Sequence, residues 1–462
     1  MTGQQEKSNR CAMFATIMTL AWPTMFEQLM QTAVQYIDTA MVGSLGTQAT
    51  AAVGATSTVS WLVGSSISAL GVGFLTFIAR AYGAGNKEQV SRYTAQAVFI
   101  TIVTGILFTI LTLGLSDMVP VWMKVDSEIQ DLAARYFFII YAPMLPRTAT
   151  IIFGTVLRAA GDTKTPMRVG LCINLINVIL NFFLIFPSTT YELGSIQIFV
   201  PAAGLGVTGA ALASAIAFTF GGIYMTVALW RHPILSPRGQ KLTPDMDILR
   251  PCLTVAFPNM LQRFGTSLGY VVFASMINSL GDVSTAAHTI ANTVESAFYI
   301  PGYGMQTAAA TLAGNAFGAN NQKQMREFSR TIIFIETVLM IFSGGLLFAF
   351  APAMMQLFTK DPQVIALGAL VLRMVALSEP FYGVSIIIEG ILQGVGKTVT
   401  PFVYNILCMW GIRIVGTLIC TQILGYGLVS AWACMIAHNL VLFVLFLLHY
   451  LSGRWNPLRQ TC

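Results

Sequence analysis

The sequence predicts an all-α integral membrane protein with twelve transmembrane helices in two parallel six-helix repeats. Three observations predict this fold: the composition, the spacing of the apolar stretches and an internal repeat. Of the 462 residues, 55% are hydrophobic and only 10% are charged, whereas a soluble domain carries about 25% charge. So few charges cannot form a soluble surface at this length, and lipid is therefore expected to solvate much of the exterior.

Twelve apolar stretches are long enough to cross a bilayer as helices, which requires about 20 residues each. Prolines inside them are tolerated where neighbouring helices satisfy the freed carbonyls. An even number of spans places both termini on the same side of the membrane. The predicted spans are residues 12–37, 48–78, 94–116, 129–157, 166–187, 203–230, 248–278, 284–312, 328–350, 364–392, 400–421 and 427–450.

The basic residues alternate between successive loops. Eighteen of the 25 Lys and Arg residues fall in segments on the side of both termini, while the alternate loops contain only Lys124 and Lys360. Membrane proteins retain positive charge in their cytoplasmic loops. We therefore expect a multi-pass protein of the cytoplasmic (inner) membrane with both termini in the cytoplasm.

An internal repeat relates the two halves at a constant offset of 235 residues. Chance matches of helical Leu and Ala are common in membrane proteins, but loop residues that match at one offset are not. Six helices in each half give both halves the same orientation, so the repeats are parallel. The matching residues include Pro23 with Pro258, Gly46 with Gly281, Gly83 with Gly318, Asn86 with Asn321 and Gly161 with Gly396.

The repeat divides the chain into two lobes. Residues 1–230 are predicted to form an N-lobe with helices 1–6, and residues 248–462 a C-lobe with helices 7–12 and a short cytoplasmic tail. The polar residues 231–247 form a cytoplasmic linker between them. The stretch from Ser188 to Pro201 has no counterpart in the second half, and we interpret it as an extra external loop.

Polar side chains within the spans are the candidates for function, because a charge at the bilayer centre costs roughly 2.5–3.5 kcal/mol on insertion scales. Such groups mark ion or substrate pathways, or they pair with one another. The first half offers Glu27, Asp38, Arg147, Asn174, Asn177 and Asn181, and the second half offers Arg263, Glu295, Glu336, Glu379, Glu389 and Arg413.

Asp38 and the asparagines of the fifth helix form the main candidate site. Asn177 and Asn181 are four residues apart and share one helical face, and Asn174 lies near that face. One carboxylate facing amide oxygens suits a proton or a hard cation such as Na⁺, which prefers oxygen ligands. The alternative is that the asparagines join helices through hydrogen bonds.

The other charged candidates are assigned to a substrate cavity or to packing between helices. Arg263 and Glu389 have opposite charges and predict a buried ion pair. Glu295 either lines a central cavity or pairs with Arg263. Glu27 and Glu379 likewise either line the substrate cavity or serve packing between helices.

Several function classes are excluded. The chain has no Walker A loop for ATP hydrolysis and no HExxH or GxSxG motif. Its seven cysteines are scattered, which does not fit a disulfide or zinc framework. The net charge of +6 is spread over short loops, which argues against nucleic-acid binding. We expect a monomer in the lipid bilayer that is not an enzyme and needs no cofactor.

The chain resembles the multidrug and toxic compound extrusion (MATE) family over nearly its whole length. The resemblance implies a twelve-helix, V-shaped antiporter that expels small organic cations in exchange for Na⁺ or H⁺. It rests on Pro23, on Asp38 to Gly43, on Gly83-Ala84-Gly85-Asn86, on Leu157 to Thr163, on the helix 5 asparagines and on Gly206 to Ala211.

The resemblance also implies which residues form the cation site of the N-lobe. The helix 1 aspartate of the family corresponds to Asp38, and its helix 5 asparagine corresponds to Asn177. Ser214 matches a helix 6 hydroxyl ligand. Asn181 stands where members of the DinF type carry an aspartate, so one carboxylate of that type is missing here.

The C-lobe departs from the pattern of the NorM type. Members of that type carry an acidic residue on helix 7, and this chain has none there. Their helix 10 acid has only approximate counterparts in Glu379 and Glu389. The C-lobe cation site of that type is therefore not expected here.

Cation binding in the N-lobe is expected to drive alternating access between the two lobes, and two other functions remain open. A lipid-linked oligosaccharide flippase of the same superfamily would need a strongly cationic cavity, and only Arg147, Arg263 and Arg413 lie at membrane depth. An intramembrane enzyme would need a catalytic cluster at one membrane surface, which the sequence does not show.

Overall fold

A computed structural model of the chain describes residues 2–123, 125–193 and 196–461. Lys124, which entered the charge count of the loops, lies outside the described residues. The helices are α1 (Thr2–Gly43), α2 (Thr47–Gly83), α3 (Lys87–Gly114), α4 (Met118–Trp122), α5 (Gln130–Tyr141), α6 (Met144–Ala159), α7 (Lys164–Ile185), α8 (Gly206–Arg231), α9 (Met246–Asn278), α10 (Asp282–Gly318), α11 (Gln322–Gln356), α12 (Pro362–Ala376), α13 (Glu379–Gly394), α14 (Val399–Ile406), α15 (Val415–Thr417) and α16 (Leu428–Leu451). Two π-helical segments, Leu407–Ile414 and Leu418–Ile423, continue α14 and α15, and the 3₁₀ helix Pro457–Thr461 follows α16.

The helices form the twelve predicted spans, two of which are bent pairs. Helices α5 and α6 meet at 50°, and α12 and α13 meet at 53°. Pro143 and Pro380 lie at these breaks, because the residue before a proline is disfavoured in the α conformation. The predicted twelve-helix architecture is therefore confirmed, with a break in the fourth and the tenth span.

The spans differ in how apolar they are. In the described part of the chain, seven helices are long and apolar enough to cross a membrane, and the two bent pairs raise the number to nine. The other three spans, α1, α9 and α10, contain 42, 33 and 37 residues. They are more polar because they contact the opposite lobe rather than lipid alone.

The stretch predicted as an extra external loop is a β-hairpin. Strands β1 (Pro187–Leu193) and β2 (Ile196–Ala203) pair antiparallel, with Thr190 opposite Phe199. The hairpin connects α7 to α8 at the end of the bundle away from the termini. Pairing within the hairpin satisfies backbone groups that an irregular loop would leave to solvent.

The internal repeat is visible in the backbone. Asn86 and Asn321 each cap a helix by accepting a hydrogen bond from the backbone N–H three residues later, at 3.0 and 2.9 Å. Gly161 and Gly396 both have positive φ, 86° and 81°, which glycine adopts without steric cost. The loop residues that match in sequence therefore match because the same turns and caps occur twice.

The two lobes approach closely at the end of the bundle where α1 begins and α16 ends, which is called the termini end below. A Cβ atom placed on Gly83 of α2 would overlap the carbonyl oxygen of Asn315 on α10. A Cβ atom placed on Gly318 of α10 would overlap the carbonyl oxygen of Arg80 on α2. The repeat relates these two contacts, because Arg80 corresponds to Asn315. The backbones therefore touch twice, with no side chain between them.

Two hydrogen bonds between the lobes have the same symmetry. The Thr76 hydroxyl donates to the carbonyl oxygen of Gln393 at 2.7 Å, and the Thr311 hydroxyl donates to the carbonyl oxygen of Arg158 at 3.1 Å. Thr76 corresponds to Thr311 in the repeat, and Arg158 corresponds to Gln393. The termini end is thus closed by a self-complementary contact, as a two-fold interface is.

Helix α1 belongs to both lobes. Ile17 and Leu20 in its first half pack in the same apolar cluster as Met305 and Phe328 of the C-lobe. The Thr24 hydroxyl donates to the carbonyl oxygen of Gly304 on α10 at 2.9 Å. The second half of α1 packs against α7 of the N-lobe. A shift of α1 therefore affects the packing of both lobes.

Candidate functional site

The structure brings Asp38, Asn177, Asn181 and Ser214 together where α1, α7 and α8 meet. The amide nitrogen of Asn181 donates to Asp38 Oδ1 at 2.6 Å and to Asn177 Oδ1 at 3.2 Å. The amide nitrogen of Asn177 lies 3.0 Å from the Ser214 hydroxyl. These four residues form a cluster, called the Asp38 cluster below. Asn174 lies on the same helix but takes part in none of the hydrogen bonds described for the Asp38 cluster.

The Asn177 amide can face Asp38 with either its oxygen or its nitrogen. With the amide turned, its nitrogen donates to Asp38 Oδ1 at 2.9 Å and Oδ2 at 3.0 Å, and its oxygen accepts from the Ser214 hydroxyl at 3.0 Å. The turned nitrogen also lies 3.2 Å from the Asn181 amide nitrogen, so the hydrogen bond from Asn181 to Asn177 is lost. With the amide unturned, its oxygen faces both carboxylate oxygens, which repel it unless a proton or a cation lies between them. The turned amide thus fits an ionised carboxylate, and the unturned amide fits a protonated or cation-bound one.

The oxygen atoms of the Asp38 cluster fit a monovalent cation or a proton. Asn181 is only 1% exposed, and its Oδ1 atom is buried without a hydrogen-bond partner. Asp38 supplies the one carboxylate of the cluster. Among the described residues, no group of three or more His, Cys, Asp or Glu side chains is placed to hold a metal ion. One negative charge with neutral oxygens balances one positive charge, which suits H⁺ or Na⁺ better than a divalent ion.

Glu27 lies outside the Asp38 cluster and forms an ion pair with Arg158. The Nη2 atom of Arg158 on α6 donates to both carboxylate oxygens of Glu27, at 2.8 and 2.7 Å. The side chains are 10% and 18% exposed for Glu27 and Arg158. Of the two roles considered for Glu27, the structure shows packing between helices, because the pair ties the middle of α1 to the end of α6.

The sequence pattern does not identify Arg158 as a partner, since Arg158 is one of the eighteen basic residues assigned to the side of the termini. A signal was present in the repeat. Glu27 corresponds to Gln262, and Arg158 corresponds to Gln393, so both charges of the first half are replaced by amides in the second. Two positions that change together between repeats are expected to be in contact.

The predicted ion pair between Arg263 and Glu389 is wrong. The Glu389 carboxylate instead accepts hydrogen bonds from the amides of Gln262 at 2.9 Å, Gln393 at 3.0 Å and Asn405 at 3.1 Å. The three ion pairs of the described residues do not include Arg263. Three amide donors hold the carboxylate, and Arg263 acts on it electrostatically without a direct ion pair.

Glu295 and Glu379 lie beside a cluster of tyrosines in the C-lobe. The hydroxyls of Tyr303 and Tyr382 are 3.1 Å apart, and the ring of Tyr299 lies 6.0 Å from that of Tyr303 and 5.8 Å from that of Tyr382. Glu295 is 6% and Glu379 2% exposed. Ring faces next to carboxyl groups are suited to organic cations. Glu295, Tyr299 and Tyr303 are spaced by four residues on α10 and form a stripe that the pattern of charged residues alone does not single out.

Two of the three arginines at membrane depth, Arg147 and Arg413, stack on aromatic rings. The Arg413 guanidinium lies 4.1 Å from the ring centroid of Phe273 and 4.7 Å from that of Tyr270. The Arg147 guanidinium lies 4.8 Å from the ring centroid of Phe218. Both positive charges are therefore partly balanced by ring faces.

Comparison with known proteins agrees with the repeat. The model of the MatE family matches residues 23–183 and again residues 258–419, so its two matches begin 235 residues apart and cover more than half of the chain. The probable multidrug resistance protein NorM of Thermotoga maritima is 29% identical over 95% of this chain and 92% of its own length. The probable multidrug resistance protein YpnP of Bacillus subtilis is 25% identical over 96% of each chain.

Solved structures show the same fold. A crystal structure of a MATE protein in a bent conformation has a TM-score of 0.86 at 22% identity and covers 96% of both chains. An outward-facing multidrug resistance transporter of the MATE family and the MOP superfamily gives a TM-score of 0.86 at 22% identity, again over 96% of both chains. The chain therefore belongs to the MatE family of efflux transporters and has the twelve-helix, two-lobe fold of that family.

Proposed function

We propose that this chain exports organic, cationic compounds across the cytoplasmic membrane in exchange for Na⁺ or H⁺, with alternating access between its two lobes. The observation that carries the proposal is the Asp38 cluster, in which one carboxylate faces amide and hydroxyl oxygens. An intramembrane carboxylate without a basic partner is costly and marks an ion pathway. Asp38 has no such partner among the ion pairs of the described residues.

The coupling step proceeds through the Asn177 amide. When Asp38 is ionised, the turned amide donates to both of its oxygens. When a proton or Na⁺ binds Asp38, the amide turns and presents its oxygen. Asn181 and Ser214 contribute the other oxygen ligands of the cluster. Ion binding therefore exchanges hydrogen bonds between α1, α7 and α8.

Helix α1 transmits this change to the other lobe. Asp38 lies in its second half, Glu27 in its middle and Leu20 in the half that packs on the C-lobe. The ion pair of Glu27 with Arg158 keeps the middle of α1 on the N-lobe. A change of packing around Asp38 then alters the contact of α1 with α10 and releases the substrate outward.

The C-lobe supplies the contacts for the substrate. Glu295 offers a negative charge, and Tyr299, Tyr303 and Tyr382 offer ring faces. Carboxyl groups with aromatic rings bind organic cations of varied shape. Arg263 and Glu389 lie at the edge of this region, where Glu389 is fixed by amide donors and serves lobe packing.

The termini end is placed at the cytoplasm, and the transporter acts as a monomer. The basic residues of the loops concentrate at this end, as they do in cytoplasmic loops. Closure at Gly83 and Gly318 then corresponds to a state that is shut towards the cytoplasm. The relatives described as multidrug resistance proteins support export as the direction of transport.

Efflux from proteoliposomes tests the proposal. A fluorescent organic cation is loaded, and its efflux is measured under a Na⁺ gradient and, separately, under a H⁺ gradient. We expect one of the two gradients to drive efflux, and Asp38→Asn to reduce that efflux to background, because the amide cannot bind either ion by charge. The assignment fails if Asp38→Asn retains full gradient-driven efflux.

The matched control is Asp131→Asn. Asp131 is an exposed carboxylate on α5, so its replacement is expected to leave efflux unchanged. A loss of efflux in both variants would indicate a general effect of charge removal and would contradict the role of Asp38.

A further inference from the structure

Two carboxyl groups of the C-lobe lack hydrogen-bond partners. Glu336 of α11 is completely buried, and neither of its carboxyl oxygens has a partner in the structure. Glu379 at the start of α13 is 2% exposed, and its Oε2 atom also lacks a partner. A buried carboxylate without donors is among the most costly groups in a protein, and a lipid-embedded bundle offers no bulk water to relieve it.

The Glu336 carboxyl is packed closely against the backbones of α10 and α13. A Cβ atom on Gly302 of α10 would lie 2.7 Å from Glu336 Oε1, and a Cβ atom on Gly383 of α13 would lie 3.2 Å from the same oxygen. Glu379 is packed in return against α11, where a Cβ atom on Gly344 would lie 3.4 Å from the Glu379 Cβ. Glycines on three helices thus form a slot for the two carboxyls, and a proton is the ligand that adds no volume.

Among the described residues, no basic side chain forms an ion pair with Glu336 or Glu379. Helix α10 contributes Glu295, Tyr299 and Tyr303, and α13 contributes Glu379 and Tyr382. Helix α12 carries Arg373, but that side chain is exposed and its Nε atom donates to the carbonyl oxygen of Phe348. Arg413 acts electrostatically on Glu295 but not on Glu336 or Glu379. The groups next to these two carboxyls are therefore acidic or neutral, and they favour the uncharged form.

We propose that Glu336 and Glu379 form a proton-binding site in the C-lobe, where each carboxyl takes up one proton and is held neutral between α10, α11 and α13. This site is separate from the Asp38 cluster. Its repeat counterparts are Thr101 and Met144, which carry no charge. The site is thus present in one lobe only.

Proton binding at this site acts on α10. The slot touches α10 at Gly302, directly after Pro301, and the same helix carries Gly304, Thr311 and Gly318 of the contact between lobes. Loss of a proton would place an unpaired carboxylate against the α10 backbone, and the helices would have to separate to let water reach it. The link from proton binding to transport rests on the proposed antiport function, whereas proton binding itself does not.

Infrared spectroscopy of the purified protein in lipid nanodiscs tests the site directly. Protonated carboxyls absorb in a carbonyl band that shifts in D₂O and that ionised carboxylates lack. We expect this band at neutral pH in the wild type, with partial loss in Glu336→Gln and in Glu379→Gln. Glutamine has nearly the shape of a neutral glutamic acid, so both variants are expected to fold.

The matched control is Glu327→Gln. Glu327 lies on the same helix, α11, with 51% side-chain exposure and a long contact to Lys323, and its replacement should leave the band unchanged. The proposal is overturned if the band is absent at neutral pH, or if neither Glu336→Gln nor Glu379→Gln reduces it.

Efflux as a function of pH tests the link to transport. Wild-type efflux is expected to fall as pH rises and Glu336 loses its proton, whereas Glu336→Gln stays neutral and should keep efflux to more alkaline pH. Identical profiles of the two proteins would overturn the link. If the wild type shows no gradient-driven efflux at all, the antiport function fails, and the infrared result still decides the proton site.

Discussion

In the N-lobe, Glu27 and Arg158 form an ion pair, with Arg158 Nη2 2.7 and 2.8 Å from the two carboxylate oxygens. At the equivalent positions of the C-lobe, Gln262 and Gln393 are both amides, and both donate to Glu389. The residue equivalent to Glu389 in the N-lobe is Gly154. At equivalent positions, each lobe therefore pairs its buried charges with a complete set of partners. A mixture of the two sets would leave a buried charge unpaired.

The same contrast holds for the ion site. Asp38 corresponds to Phe273, Asn177 to Ile412 and Asn181 to Gly416, so the Asp38 cluster has no counterpart in the C-lobe. The caps, turns and close backbone contacts, by comparison, occur in both lobes. Symmetry is thus kept where the backbone geometry demands it, and it is lost where the side chains carry chemistry.

Breaking the ion pair of the N-lobe should have the largest effect on the free energy of unfolding. Glu27→Gln or Arg158→Gln alone leaves a buried charge unpaired and should lower the free energy of unfolding by about 3–5 kcal/mol. The double variant copies the Gln262 and Gln393 pair and should cost less than either single change. Thermal unfolding of the purified protein, analysed as a double-mutant cycle, measures the coupling.

The control for this cycle is Arg92→Gln. Arg92 pairs with Asp245 at 2.9 Å, but its side chain is 49% exposed, so the cost should stay within about 1 kcal/mol. Additive effects of Glu27→Gln and Arg158→Gln would contradict the comparison between the lobes.

The backbone contacts at the termini end should give the next largest effect. Gly83→Ala and Gly318→Ala each place a Cβ atom about where a carbonyl oxygen of the other lobe lies. Each should destabilise the closed contact by about 1–3 kcal/mol, as overpacking does, and the two effects should be equal. Labelling of an introduced cysteine near the contact would report its opening.

Gly345→Ala serves as the control for these glycines. A Cβ atom there would meet no atom within 4 Å, and alanine favours the helix interior by about 0.5–1 kcal/mol. Clearly unequal effects of Gly83→Ala and Gly318→Ala would show that the contact is not symmetric in energy.

The hydrogen bonds between the lobes should contribute less. Thr76→Val and Thr311→Val keep the side-chain shape and remove one bond each, at an expected cost of about 1 kcal/mol each. The double variant should lose the sum of the two stabilities. Thr76→Ser and Thr311→Ser keep the hydroxyl and should retain most of the stability that the valine variants lose. If one threonine carries the whole loss in unfolding experiments, the symmetric interpretation is wrong.

The smallest effect is expected at the turn before α3 and α11. Gly85 has a φ of 71°, and Asn320, its counterpart, has a φ of 51°. Asparagine tolerates the left-handed conformation, so Gly85→Asn should change the free energy of unfolding by less than about 0.5 kcal/mol. Gly85→Val should cost more than Gly85→Asn, because a β-branched residue is strained at positive φ. Equal stabilities of these two variants would contradict the role assigned to the turn.

Much of the fold could be predicted from local properties of the chain. Span lengths follow from the thickness of the bilayer, and the repeat follows from residues with special backbone demands, such as Gly161 and Gly396. The approximate membership of the Asp38 cluster was also predictable, because Asn177 and Asn181 share a helical face and a lone carboxylate in a span needs polar neighbours. The β-hairpin of β1 and β2 could not be predicted, since a short polar stretch with few periodic signals fits a loop equally well.

Local properties of the chain were enough to predict the number of spans, their parallel duplication and the set of polar groups that lipid cannot accept. Which of these groups meet became visible only in the folded bundle. Glu27 pairs with Arg158 across 131 residues, and Glu389 takes three amides instead of Arg263. The physical reason is that hydropathy and turn preference are local, whereas a pair between two helices depends on the rotation and tilt of each, which the packing of all twelve spans decides together.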